Sequence, residues 1–406
     1  MKLYATICIY MFTSVFSSVA CSEVYTFEEY EKYPQMLLSE NFQKLSSDIE
    51  QLFEKTVEKK IDSGVIRSLL AAFNRYEEDA EDKLNRWVAL NTSDPVSRMI
   101  RGVYYNHLAW LKRGHNFSND TSKEQMDGLN LYQTKALDDF SFVIKTRPDY
   151  LFAYAYSINS MGSISGKSDD IRALYHKALE IDPANYAVRY QYLRFLTPRW
   201  GGSYAEMSRE VNTIRPYLKE TPKLNTLNGL IHLEKNREYV ELEPAERIKH
   251  APKRLKILNR ALSYGEKPIY LWHKAYVLKD LNKINEAYKT ITRVIELRPH
   301  DVTAYDLRIQ LALMLRDVES IANDAEKLIS LHYEAPKNNY VFGWALYGLG
   351  QHKKAISYLE ASLKFKDNES YKMKAEKYLK KSQDVLAIAE KFNLKLHREG
   401  NRYIYK

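Results

Sequence analysis

The sequence predicts an all-α protein built as a solenoid of stacked helical hairpins. Three observations carry that prediction: a helix-favouring composition, apolar residues spaced to line one face of a helix, and a motif that returns along the chain. Only 12 of 406 residues are proline and 14 glycine, while Leu, Ala, Lys and Glu abound. Such a mixture favours helix throughout.

Residues 1–20 precede that body and read as a signal peptide. Lys2 supplies one early positive charge, Leu3 to Cys21 is uncharged, and Ser18 and Ala20 are the small residues before a cut at Cys21. This is the pattern of an export leader. Thr6, Thr13, Ser14, Ser17 and Ser18 dilute its apolar core, and Glu23, Glu28 and Glu29 follow at once. No later stretch is long and apolar enough to span a bilayer.

Cys8 leaves with the leader, so Cys21 is the lone thiol of the mature chain and no internal disulfide forms. An unpaired thiol in an oxidising compartment is open to oxidation and cross-pairing. The run Ser18-Val19-Ala20-Cys21 resembles a bacterial lipobox, with Ser18 where leucine is usual. Lipidation at Cys21 would tether the chain to a membrane, each buried methylene adding roughly 0.8 kcal/mol. Ser22 resembles the pattern of lipoproteins sorted to the outer membrane. Plain secretion is the alternative, because Ser18 also suits an ordinary signal peptidase.

Residues 21–40 read as a linker. An amphipathic helix then starts near Asn41, with Phe42, Leu45, Ile49, Leu52 and Phe53 along one side, and Val65–Phe73 begins another. Asn85 to Pro95 finishes a helix that turns into a long one through Trp110 and Arg113-Gly114. The polar run from His115 to Ser122 marks an irregular connection.

The recurring motif follows. Ala136-Leu-Asp-Asp-Phe140-Ser-Phe-Val143 ends in Pro148, and its pattern returns 35 residues later as Ile171, Tyr175 and Ala178 before Pro183. It returns again as Ala287, Ile291 and Val294 before Pro299, and as Ala355, Leu359 and Ser362 without the proline. The small residues admit a paired helix at close range, while Phe140, Tyr175, Ile291 and Leu359 fill the space beside it. In the last copy Gly343 fits the close-contact position and Gly350 the turn before His352. Asp301–Pro336 reads as one more pair, packed through Tyr305, Leu307, Leu311 and Leu315.

The expected organisation is therefore an N-terminal helical-repeat domain over 41–216 and a bridging segment over 217–266. The bridge has joints at Glu243–Pro252 and Tyr264–Pro268 around a helix at Leu255–Leu262. Repeats and a capping helix (Glu369–Phe392) occupy 267–392, and 393–406 is a tail, either a short strand or a frayed end.

The four copies resemble second helices of tetratricopeptide repeats, whose period is about 34 residues. Such an array is elongated and presents a concave groove. A sharper local signature is Leu196-Thr-Pro-Arg199-Trp200-Gly201-Gly202-Ser203-Tyr204-Ala-Glu206-Met207, where Ser203 and Glu206 have capping-box spacing. Together with Trp87 ahead of Asp94-Pro95, Trp110 ahead of Arg113-Gly114, and Asp182-Pro183, it covers Phe42 to Pro216. The ordered set resembles a bacterial family carrying an uncharacterised tetratricopeptide-like domain of unknown function, the DUF4034 type with a PRWGGS signature. The resemblance implies the helical repeat fold and brings no assigned activity.

No compact metal-ligand spacing joins the ten histidines. Ser203 stands in WGGS rather than GxSxG, which fits helix capping and not a nucleophile. Glu206, Asp138 and Asp139 sit at ordinary helix-surface spacings, although paired carboxylates are what glycoside cleavage needs. No catalytic, cofactor or metal residue is expected. The net charge of +9 is spread in modest clusters, including Lys59-Lys60 and Lys353-Lys354. They read as solvated faces, and no nucleic-acid motif accompanies them.

The candidate partner-binding residues are Arg113, Arg199, Trp200 and Tyr204, since arginine and aromatic side chains anchor peptides and carboxylates. The structural alternative is that Trp200 packs at a joint and Arg199 holds helix carbonyls or a nearby acid. The expected function is a non-catalytic scaffold or adaptor of the cell envelope with a protein or peptide partner and a lipid link to the membrane. The alternatives are an envelope hydrolase with a cleft near WGGS, or a secreted effector.

Overall fold

The computed structural model describes residues 27–58, 60–61, 63–73, 79–114, 120–164, 168–331, 336–364, 369–400 and 402–406. The leader and Cys21 lie outside the described residues. Helices α1 (Phe27–Leu38), α2 (Phe42–Val57), α3 (Ser63–Ala72) and α4 (Ala80–Leu90) open the chain. The five apolar residues expected on one side of α2 are all buried. Amphipathic spacing thus places the first core.

The hairpin of α5 (Pro95–Arg113) and α6 (Lys123–Thr146) follows. Asp94 caps α5 by accepting from the amides of Val96 at 3.0 Å and Ser97 at 3.3 Å, satisfying donors that the first turn of a helix leaves open. Ser46 Oγ donates to the same carboxylate at 2.7 Å and accepts from Trp87 Nε1 at 3.0 Å. The tryptophan expected ahead of the Asp-Pro turn is thereby tied to that turn.

Next come α7 (Leu151–Ile164) with α8 (Ser168–Ile181), then α9 (Tyr186–Phe195) and α10 (Tyr204–Asn212) around a 3-10 turn at Pro198–Trp200. The bridging stretch forms α11 (Gly229–Val240), α12 (Pro244–Lys249) and α13 (Ala251–Leu262). Hairpins α14 (Pro268–Asp280) with α15 (Ile284–Leu297), α16 (Val302–Leu315) with α17 (Val318–Ser330), and α18 (Pro336–Gly348) with α19 (His352–Leu363) complete the array. Among the described residues no helix is long and apolar enough to cross a membrane.

Each copy of the recurring motif is the second helix of its hairpin: α6, α8, α15 and α19. Phe140, Tyr175, Ile291 and Leu359 are fully buried, as are Ala136, Ala287 and Ala355. Phe140 works in two directions. A Cβ on Gly102 of α5 would stand 2.6 Å from its ring, and Tyr156 of α7 lies 5.6 Å away, centroid to centroid. A Cβ on Gly343 of α18 would likewise meet Leu359 at 2.7 Å.

The core runs in three stretches that hand over at α7 and α14. Phe152 and Ala153 of α7 belong to the first stretch and Tyr154 and Ile158 to the second. Tyr270 and Val277 of α14 belong to the second, Leu271 and Ala275 to the third. Helices buried on two sides in this way are what a solenoid requires of its middle members. In α16 the expected packing holds for Tyr305, Leu307 and Leu311, but Leu315 is 37% exposed. It stands in the last turn, just before Arg316 ends the helix in a left-handed conformation.

Helix α20 (Glu369–Lys391) covers the last pair, burying Ala375, Ser382 and Ala389 at intervals of two turns. The tail is a strand pair. β1 (Leu396–Glu399) and β2 (Arg402–Tyr405) run antiparallel, with Leu396 opposite Tyr405 and Glu399 opposite Arg402. The Tyr403 amide donates to the Leu349 carbonyl at 2.7 Å, seating the hairpin on the α18–α19 turn. Gly350 is needed there twice over: its φ is +78°, and a Cβ would lie 1.8 Å from the Tyr403 carbonyl oxygen.

The array also curls back on itself. Glu31 of α1 meets His300 Nε2 at 3.4 Å, and Tyr30 packs edge-on against the same imidazole. Lys223 Nζ donates to Ser63 Oγ of α3 at 3.0 Å. The first helices therefore touch the middle of the chain.

Candidate functional site

The Pro198–Trp200 turn ends at Gly201, whose φ of +87° is left-handed. A Cβ on Gly202 would lie 2.2 Å from the Leu196 carbonyl oxygen, so the chain folds tightly over the end of α9. Ser203 caps α10 as expected, its Oγ accepting from the Glu206 amide at 3.2 Å. The reciprocal arm differs from a capping box: the Glu206 carboxylate accepts from the Ser203 hydroxyl at 2.7 Å.

This turn holds Arg199, Trp200 and Tyr204 against α11. Arg199 Nε lies 3.0 Å from Glu234 Oε1. Burial, and Arg237 beside it, pull the Arg199 pKa below the ordinary guanidinium value. The Tyr204 hydroxyl donates to Glu238 one turn further along α11, and its pKa is raised by burial and then by that carboxylate. Lys235 Nζ stands 5.3 Å from the Tyr204 ring centroid. Two of the three side chains are thus occupied by acids of α11.

Trp200 is the exception. Its indole is 40% exposed and borders a notch of about 30 Å³ with Trp110, Ile158, Arg194 and Phe195. Arg113 does not line that notch; its Nη1 donates to the Gly114 carbonyl at 3.3 Å at the end of α5. Three of the four candidates gather at the α9–α10 turn, and Arg113 stands at the end of α5, one turn beyond the Trp110 that lines the notch.

Of the three carboxylates weighed for hydrolysis, Asp138 is exposed on α6 and the other two are engaged elsewhere. Asp139 is 1% exposed and takes paired hydrogen bonds from Arg101, Nε and Nη2 both at 2.8 Å, with Arg98 Nη1 at 3.3 Å. Glu206 faces Ser203. Burial lowers the pKa of His107. Among the described residues no group of His, Cys, Asp and Glu could hold a metal ion.

Reading the sequence missed a second cavity, of about 190 Å³, where five separate parts of the chain converge. Arg67 of α3, Phe152 and Tyr156 of α7, Tyr186 and Tyr190 of α9, Lys223, and Lys267 just before α14 all border it. Lys267 is only 4% exposed. Its Nζ donates to the Tyr186 hydroxyl and sits 3.9 Å from the Tyr190 ring centroid. Burial first, then the charges of Arg67, Arg298 and Arg194, push its pKa well below that of an ordinary lysine.

A trough of about 580 Å³ beside Ser46, Asp94 and Arg147 differs in kind. Arg147 donates to Asp149 at 3.0 and 2.7 Å, to Glu54 at 2.6 Å and also to Glu50. That cation is saturated by acids, whereas the cations of the 190 Å³ cavity face tyrosines.

Comparison with known proteins bears on the class of fold. The tetratricopeptide repeat family model matches residues 269–301 and 336–369, the stretches that carry α14–α15 and α18–α19. No curated protein sequence matches the chain. Among solved structures the chain is similar to a tetratricopeptide repeat protein from Parabacteroides merdae, at 15% identity over 62% of this chain and 93% of that one, TM-score 0.26. It is similar to yeast Tom70 at 12% identity over 89% and 90% of the two chains, TM-score 0.37. It is also similar to the APC/C hetero-tetramer Cut9–Hcn1 at 14% identity over 89% and 78%, TM-score 0.31. At TM-scores below 0.5 these likenesses settle neither fold nor role. The chain is an all-α solenoid of tetratricopeptide type.

Proposed function

We propose that this chain is a non-catalytic scaffold of the bacterial cell envelope, exported by its leader, lipidated at Cys21, and gripping a protein partner on its helical array. Tetratricopeptide-type repeats suggest a protein-interaction scaffold, and the order Trp87, Trp110, Asp182-Pro183, PRWGGS supports kinship with the uncharacterised bacterial family. The observation that carries the reading is Trp200, a large aromatic left 40% exposed on a tightly built turn. Aromatic anchors of this kind dominate interface energetics. Arg199, pinned by Glu234, supplies a fixed charge beside it.

The test is cross-linking in the native cell, followed by purification of the full chain and of Trp200→Asp. An envelope protein captured by the former and lost from the latter supports the scaffold. Recovery of no partner, or of the same partner by both, overturns it. Mass spectrometry of the mature amino terminus tests the anchor: a chain starting at an acylated Cys21 is expected. An unmodified Cys21 would favour secretion, and a chain still starting at Met1 would remove the export reading.

A further inference from the structure

We propose that the cavity between α3, α7, α9 and the start of α14 binds a small organic anion, with its carboxylate or phosphate head on Lys267 and Arg67 and a planar apolar body against Phe152 and Tyr156. The proposal stands apart from the partner-binding reading, because no residue of the Trp200 turn is part of it.

The starting point is an imbalance of charge. An ammonium removed from water costs several kcal/mol unless an opposite charge faces it, yet among the described residues no carboxylate pairs with Lys267 or Arg67. Lys267 has the Tyr186 hydroxyl and the two ring faces, Tyr186 at 4.5 Å and Tyr190 at 3.9 Å. Cation–π contacts contribute about 2 kcal/mol when desolvated, which offsets only part of that cost. Arg67, Arg194 and Arg298 add repulsion from nearby.

The acid beside Lys267 in the chain is engaged elsewhere. Glu266 borders the cavity, but its Oε2 accepts from Arg293 Nε at 3.0 Å, with Nη2 at 2.9 Å. The charge that fits this position is therefore an incoming anion. It would face the nine-tenths buried amine of Lys267, which an incoming negative charge draws to its protonated form, and the partly buried guanidinium of Arg67 on α3.

Size and walls define the rest of the ligand. An apolar cavity of about 150 Å³ accommodates benzene, so about 190 Å³ admits one ring with a small head group and not a folded segment. Phe152, Ala155, Tyr156 and Ala187 supply the apolar wall, while Lys223 stands 5.8 Å from the Tyr186 ring. The head group is thus drawn to the Lys267 end and the body to the α7 end.

Isothermal titration calorimetry on the full chain tests the assignment, with benzoate, phenyl phosphate and neutral benzamide as probes. At least one anion should bind about tenfold or more tighter than benzamide, and Lys267→Met and Arg67→Gln should each weaken it by about tenfold or more. The tighter anion identifies the head group. Circular dichroism checks that both variants fold, and should Lys267→Met fail that check, Arg67→Gln carries the result from a partly exposed position. No saturable heat from either anion, equal binding of benzamide, or unchanged affinity in folded Arg67→Gln would overturn the site.

Discussion

Arg308 of α16 holds Asp324 of α17 by two parallel hydrogen bonds, Nε to Oδ2 at 2.8 Å and Nη2 to Oδ1 at 2.6 Å. The device recurs in α5–α6, where Arg101 grips Asp139 in the same two-pronged way. Single-pronged versions join Arg254 to Asp280 at 2.8 Å and Arg189 to Glu210 at 2.9 Å. Planar guanidinium–carboxylate pairing fixes orientation as well as distance, so each two-pronged pair helps set how its two helices sit against each other.

Removing one partner strands the other. Asp324→Ala should destabilise the chain by about 3–5 kcal/mol in urea unfolding. The double variant Arg308→Met with Asp324→Leu should cost clearly less, since no charge is left behind. Equal losses in the two would show that the pair is not what holds α16 to α17.

How far the molecule was legible follows from such contacts. Ala136, Phe140 and Val143 announce α6 because a helical face needs only local spacing, and their recurrence at Ile171, Ala287 and Ala355 announces the stacking. The Ser203 cap is local too. Glu234, the partner of Arg199, is not legible, because it arrives from α11 through a fold no spacing encodes. Lys267 is the plainest case. In sequence it is one polar residue in a Lys-Pro joint, and only the convergence of α3, α7 and α9 buries it. Leu315 erred the other way, its apolar side chain passing for packing where the helix had already left its neighbour.

Gly350 should tolerate no side chain. Gly350→Ala places a methyl group against the Tyr403 carbonyl and should detach the terminal hairpin, seen as faster hydrogen exchange at the Tyr403 amide and protease cleavage near Leu396. Gly400→Ala is the control: its φ of +59° is also left-handed, but a Cβ there meets nothing within 4 Å. That change should cost only the conformational penalty of about 1–2 kcal/mol. Similar behaviour of the two variants would refute the docking argument.

His273 predicts acid sensitivity. Its ring is buried, Nδ1 lies 3.4 Å from the Asn236 amide nitrogen, and Arg254 holds that amide's oxygen at 3.3 Å. Burial first, then Arg237, Arg254 and Arg199, lower its pKa to about 3. The unfolded chain takes up a proton below pH of about 6.5 while the folded one does not. The stability tied to neutral His273 is therefore intact above that pH and is lost as pH falls toward the folded value. Between pH 7 and 5 the loss should be about 2 kcal/mol, absent in His273→Gln. The comparison is urea unfolding of both chains at the two pH values, and parallel losses would count against it.

The Trp87, Ser46 and Asp94 chain should act as one unit. Ser46→Ala and Asp94→Ala each break a link to the α5 cap, the second costing about 1 kcal/mol or more. Together they should fall short of additivity by roughly 0.5 kcal/mol or more. A double-mutant cycle that closes to zero would separate the serine from the cap.

The contacts of Glu31 and Tyr30 with His300, and of Lys223 with Ser63, change what kind of object the array is. An open string of repeats yields link by link, each answering only to its neighbours. Here the opening helix is buckled onto a distant loop, like a belt fastened partway along its length. Tension or heat applied at the amino-terminal end is shared across the enclosed hairpins, so that stretch gives way as a single piece while the pairs beyond the buckle keep the freedom to fray one at a time.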